Sequence, residues 1–265
     1  MTTVTTKKKL AVLGNGFLAG IIVEAYNKGL LEEYELTGIL GRTKEKTEAL
    51  AEKGGCRPCS TLEELLEDKP DYVAEAASVK AVQDYGMKIL SGGADMILLS
   101  IGALADETFY RKISECAKEN GRKIHIASGA IGGFDVLRTI SLMGQAQTSF
   151  HTKKGPKSLS GTPLFKESLM TDREEKQVFH GSAKEAISIL PTKVNVAIAA
   201  SLASSGPENV DMSIFSVPEM VGDDHKITAQ IPGVKAELDI YSSTSAIAGW
   251  SVVAVLRNLV SPIVF

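Results

Sequence analysis

Three sets of residues in this chain have types and spacing that could do chemistry: the small residues Gly14, Gly16 and Ala19, the pair Gly41 and Arg42, and His225 after two acids. The first set lies in "LAVLGNGFLAGI", residues 10–21, where an apolar run meets a glycine turn and then a helical pattern. In a dinucleotide site the first glycine makes the turn and the second lets the backbone approach a pyrophosphate. The third small residue keeps the helix close to the strand. Gly16, Phe17 and Leu18 would then offer backbone N–H groups at the positive end of a helix to the phosphates. The same pattern also opens α/β domains that bind nothing, so the second strand must arbitrate. It ends in "GILGRT". An acid there would accept from the 2′-hydroxyl of NAD, whereas Gly41 carries no charge and Arg42 offers donors suited to a phosphate. NADP is expected over NAD, against the plainer reading of Arg42 as a solvated surface charge.

The third candidate is "GDDHKI", which puts His225 at a loop-to-strand junction beside Asp223 and Asp224. Neighbouring carboxylates favour the imidazolium, so the sequence predicts a raised pKa and a group suited to proton transfer near neutral pH. A surface histidine with acidic neighbours has the same sequence. Among the other histidines, His125 in "KIHIAS" reads as a packed strand residue, and His151 and His180 lie in or near a polar connection. Cys56 and Cys59 form a single CxxC with no second pair and no nearby histidine, so a loop is expected there and no metal site.

These residues need a scaffold, and the alternation of apolar strands with amphipathic helices supplies one. "KLAVLGNG", "YELTGILGRT", "DYVAEAAS", "DMILLSIGAL" and "KIHIASGA" read as strands, separated by helical stretches such as "KEKTEALAEKGG" and "DETFYRKISECAKENG". Strands apolar on both faces, each followed by a crossover helix, imply an α/β fold with a doubly wound parallel sheet. After about residue 130 the beat changes. "QTSFHTKKGPKSLSGTP" reads as a polar connection, two helices flank Pro191, and "NVDMSIFSV", "HKITAQI" and "KAELDIYS" read as an antiparallel meander. The expected organisation is a dinucleotide-binding domain of residues 7–130 with 244–265, and a second, α+β domain of residues 131–243.

The 265 residues carry a formal net charge of −3, with acids and bases interleaved, which leaves no electrostatic footprint for nucleic acid. The expected partner is a small molecule. The apolar run after "MTTVTTKKK" is too short for a signal-peptide core, and "TSAIAGWSVVAVLRNLVSPIVF" is interrupted by polar residues, so a cytoplasmic protein without a membrane span is expected.

Together with the glycine turn, "AEAAS" at 74–78, "LLSIGALAD" at 98–106, "IASGAIGGFD" at 126–135, "FHGSAKEAI" at 179–187, "NVAIAASLA" at 195–203 and "DDHKI" at 223–227 make the chain resemble the L-aspartate dehydrogenase family. These stretches follow the family's order over nearly the whole chain. The resemblance implies a Rossmann-like domain plus an α+β catalytic domain, usually in a homodimer. It also implies an NAD(P)-dependent oxidoreductase interconverting L-aspartate with iminosuccinate, or oxaloacetate and ammonia. It carries the catalytic role to His225, contact with the cofactor to Ala77, Ser78, Ala130 and Asn195, and substrate-carboxylate binding to Lys154. The chain departs from the family's pattern at Lys193, at Asp223 or Asp224 in place of an asparagine, and at Tyr241–Thr244, where a proline and a lysine are missing. Those departures leave another small amino or 2-oxo acid as an alternative substrate, and a silent dinucleotide-binding protein as an alternative role.

Overall fold

The computed structural model describes residues 6–190 and 194–265. It divides into two compact units, the chain up to Ala127 with Ala248–Phe265, and Ser128–Ile247.

The first unit alternates strand and helix: β1 (Lys8–Leu13), α1 (Phe17–Asn27), β2 (Tyr34–Leu40), α2 (Lys44–Gly54), β3 (Arg57–Cys59), α3 (Leu62–Glu67), β4 (Tyr72–Glu75), α4 (Val79–Ser91), β5 (Asp95–Leu98), α5 (Glu107–Glu119) and β6 (Ile124–Ile126). All pairings are parallel, in the order β3-β2-β1-β4-β5-β6. The order reverses between β1 and β4, and in open α/β sheets such a switch point leaves a crevice at the carboxyl ends of the strands. Leu10, Ala11, Val12 and Leu13 are all buried, as a central strand covered on both faces requires. Helix starts are set by local chemistry: Thr61, Ser78 and Asp106 each accept from the backbone N–H three residues on. The C-terminal helix, Ala246–Val260, contributes Val252, Val253 and Leu256 to the same core, and the Tyr34 hydroxyl donates to the Leu256 carbonyl at 2.6 Å. Arg57–Cys59 of the "CRPC" stretch form an edge strand, β3, rather than the expected loop. Both thiols are pushed up by burial, Cys56 to about 11, so neither is a ready thiolate.

The second unit holds α6 (Phe134–Met143), β7 (Gln147–Lys154), α7 (Pro156–Leu159), β8 (Lys176–Ser182), α8 (Ala183–Ile189), α9 (Asn195–Leu202), β9 (Val210–Ser216), β10 (Asp223–Ile231) and β11 (Val234–Ser242). The sheet order is β11-β10-β7-β9-β8, with β7 and β9 parallel and the other pairs antiparallel. Two expectations are corrected here. The "QTSFHTKK" stretch is the central strand of the sheet, not a polar connection. Its inward residues Thr148, Phe150, Thr152 and Lys154 are buried, although only Phe150 is large and apolar. The three later strands do not form a meander, because β7 lies between β9 and β10. Helix α8 opens on a capping box of Ser182 and Glu185, and α6 packs against β10 and β11.

Candidate active site

The glycine turn closes onto the end of β4. Gly14 has φ +134, and a Cβ there would lie 2.8 Å from the Ala76 carbonyl carbon and closer still to its oxygen, so only glycine fits. Gly16 is different: a Cβ would meet nothing within 4 Å, and Gly16 caps α1 without a side-chain hydrogen bond. The first N–H groups of a helix have no intrahelical partner. The open space before Gly16, Phe17 and Leu18 is therefore lined by donors at a positive helix end, which fits a pyrophosphate. Phe17 is 64% exposed, unusual for an aromatic residue opening a helix on an otherwise buried turn. Ala77 and Ser78 are exposed beside this turn, and the Ser78 hydroxyl accepts from Ala81 N–H as the cap of α4.

Two residues that the sequence reading passed over hold this cradle. Glu75, fully buried at the end of β4, accepts from the N–H groups of Ala77, Leu99 and Ser100 and from the Ser100 hydroxyl, at 2.8, 3.2, 2.8 and 2.7 Å. Burial raises its pKa, and these four donors work against that rise. A carboxylate closing an apolar strand was the available signal, since such a charge is rarely buried unless paired. Asn15, between the two glycines, donates to the Thr43 carbonyl and the Thr47 hydroxyl, each at 2.9 Å. A Cβ on Gly41 would sit 2.5 Å from the Asn15 Cβ. The Asn15 side chain thus fills the space beside Gly41, and an acid cannot occupy position 41 without displacing it. Arg42 is exposed at the start of α2 and forms no ion pair among the described residues.

In the second unit, β10 runs antiparallel to β7 with Asp223 opposite Lys154, His225 opposite Thr152 and Ile227 opposite Phe150. Directly opposed residues share a face, so these six side chains form one row that passes from apolar to charged. Lys154, only 3% exposed, pairs with Asp223 at 2.7 Å. His225, 2% exposed, has Nδ1 2.9 Å from the Thr152 hydroxyl oxygen and its ring against Phe150, centroids 5.6 Å apart. Asp224 does not join them. Side chains alternate along a strand, and Asp224 is paired instead with Lys153 and Tyr241 on the opposite face.

The expected rise of the His225 pKa is therefore reversed. Burial pushes it from 6.5 down to about 4, the Lys154 charge adds to the fall, and Asp223 opposes it. The unfolded chain takes up this proton below pH 6.5, but the folded one only near pH 4. The stability due to the buried neutral ring is thus fully present above pH 6.5 and is lost as pH falls from there through about 4. The predicted loss is on the order of 3 kcal/mol. Urea unfolding at pH 7 and pH 4.5 checks it: wild type should lose clearly more stability than His225→Gln, and parallel losses would refute the assignment.

Elsewhere in this unit Ala130 follows β6 and Asn195 opens α9, and a Cβ on the intervening Gly129 would lie 3.2 Å from Val196. The 128–130 loop is thus held against the start of α9. Lys193 lies outside the described residues. The departure at Tyr241–Thr244 forms a turn, with the Tyr241 hydroxyl donating to the Val221 carbonyl at 2.9 Å and Ser242 to the Thr244 carbonyl at 2.7 Å. His180 is exposed beside Asp211 and Ser213, His151 is exposed on β7, and His125 contacts Asp95.

Comparison with known proteins bears on both units. The family described as "Aspartate dehydrogenase, C-terminal" matches residues 135–259, and the "Homoserine dehydrogenase, NAD binding domain" matches residues 14–127. The L-aspartate dehydrogenase of Methanococcus maripaludis is 35% identical over 96% of this chain and 98% of its own length. That of Methanosarcina barkeri is 31% identical over the same shares. The crystal structure of aspartate dehydrogenase from Thermotoga maritima superposes with a TM-score of 0.77 at 27% identity, covering 97% of this chain and 99% of that one. With a dinucleotide cradle in one unit, a buried histidine and lysine row in the other, and similarity along the full length of both, the chain belongs to the L-aspartate dehydrogenase family.

Proposed function

We propose that this chain is an NAD(P)-dependent L-aspartate dehydrogenase, interconverting L-aspartate with iminosuccinate, which exchanges with oxaloacetate and ammonia. The reading rests above all on the Lys154–Asp223 and His225–Thr152 pairs, side by side in a chain of this family. When bound, the nicotinamide ring takes or returns the hydride of the substrate α-carbon. The protein's part is orientation and charge. Gly16, Phe17 and Leu18 hold the pyrophosphate through backbone N–H groups, Ala77 and Ser78 border it, and Ala130 and Asn195 frame the nicotinamide. Lys154 supplies the positive charge for a substrate carboxylate, shared with its standing partner Asp223. His225, neutral at working pH, faces the substituent on the α-carbon as it changes between amine, imine and carbonyl and exchanges hydrogen bonds with it. The subunits form a homodimer.

Given oxaloacetate, ammonium and reduced cofactor, the protein is expected to consume the reduced-nicotinamide absorbance. Turnover of a different 2-oxo acid with none of oxaloacetate would overturn the substrate assignment, and the Asp223 and Tyr241–Thr244 departures would then account for it. The same assay tests the cofactor. Arg42, exposed at the end of β2 with a neutral Gly41 before it, favours NADP. Arg42→Ala should raise the KM for NADPH by about 10- to 100-fold, the equivalent of one charge-assisted hydrogen bond, and barely change that for NADH. Equal losses for both cofactors would remove the NADP preference.

A further inference from the structure

The contact between Thr152 and His225 carries more than proximity. A neutral imidazole has one N–H and one bare nitrogen, and a hydroxyl has one proton to place. Nδ1 and the Thr152 oxygen are 2.9 Å apart across the β7–β10 pair, with Thr152 only 1% exposed. If Nδ1 carried the proton, it would donate to the hydroxyl oxygen, and the hydroxyl's own hydrogen would need another acceptor. The Thr152 hydroxyl has no second hydrogen bond among the described residues. Its neighbours on the row are the Phe150 ring, the donor-only Lys154 ammonium and, on β9, Ile214. A buried donor left unpaired is penalised by its full desolvation. If Nδ1 is bare, the hydroxyl donates to it and both groups are satisfied by one bond.

We infer that Thr152 is a positioning residue that locks His225 in the Nε2–H tautomer, so that the ring meets the substrate as a hydrogen-bond donor at Nε2. This rests on the reading of His225 as the group facing the α-carbon substituent. The donor polarises the carbonyl oxygen or imine nitrogen toward attack by ammonia or water. To accept a proton at Nε2 instead, the ring must first move its own proton to Nδ1, which takes from the Thr152 hydroxyl hydrogen its one acceptor among the described residues. The same bond disfavours the imidazolium, which requires N–H at both positions.

The test is a long-range proton–nitrogen correlation spectrum of the full-length protein labelled with ¹⁵N-histidine at pH 7, the four rings assigned with single His→Gln variants. His225 should show a protonated-type shift at Nε2 and a bare-type shift at Nδ1. Thr152→Val, which keeps the shape and removes the hydroxyl, should release the preference and lower kcat about tenfold, and Thr152→Ser should restore both. An Nδ1–H pattern in wild type, or an unchanged pattern in Thr152→Val, overturns the inference. The wild-type spectrum decides even if the valine variant fails to fold. A released tautomer with unchanged kcat leaves the tautomer lock standing and instead refutes the placement of His225 at the reacting carbon.

Discussion

His225→Ala is expected to lower kcat by about 10²-fold or more while leaving the Kd for NADPH nearly unchanged. The size follows from the role proposed for the ring: amine, imine and carbonyl differ in where their protons lie, and His225 is the one imidazole buried beside the Lys154–Asp223 pair. The selectivity follows from position, since the ring belongs to the strand row of the second unit and the glycine cradle belongs to the first. Removing a buried ring also leaves a cavity against Phe150, so thermal unfolding should be measured alongside turnover. Wild-type turnover in the variant would end the catalytic assignment. A parallel collapse of kcat and fold in His225→Ala would move the question to His225→Asn, which fills more of the space.

The second large effect separates two glycines that look alike in sequence. Gly14→Ala should destabilise the fold by about 3 kcal/mol or more, because the new Cβ runs into the Ala76 carbonyl and the backbone stands at φ +134. Gly16→Ala should leave the melting temperature within about 2 °C, because nothing lies within 4 Å and the backbone there is extended. Its effect should fall on the cofactor, with the Kd rising about tenfold or more as a methyl group occupies the approach of the pyrophosphate. Thermal unfolding with and without NADPH reads both. An equal loss of stability in the two variants would mean that Gly16 serves only the fold.

Much of this protein follows from local pattern alone. Apolar runs between amphipathic helices specify a parallel sheet, because strands covered on both faces have no polar side to show. The turn at Gly14 and Gly16 follows for the same reason, since few sequences can bend a strand into a helix so tightly. The second unit was less legible because its strands carry polar rows inward. β7 buries Thr148, Thr152 and Lys154, so hydropathy reads it as a connection, and only the pairing of β7 with β10 gives Thr152 and Lys154 their partners His225 and Asp223. The charge state of His225 was likewise out of reach. In sequence it has two acids beside it, but the strand's period of two sends Asp224 to the far face and brings Lys154, 71 positions away by numbering, onto its own. Electrostatics depend on distance and burial in three dimensions, and both were set by strand pairing that no neighbour in the chain encodes.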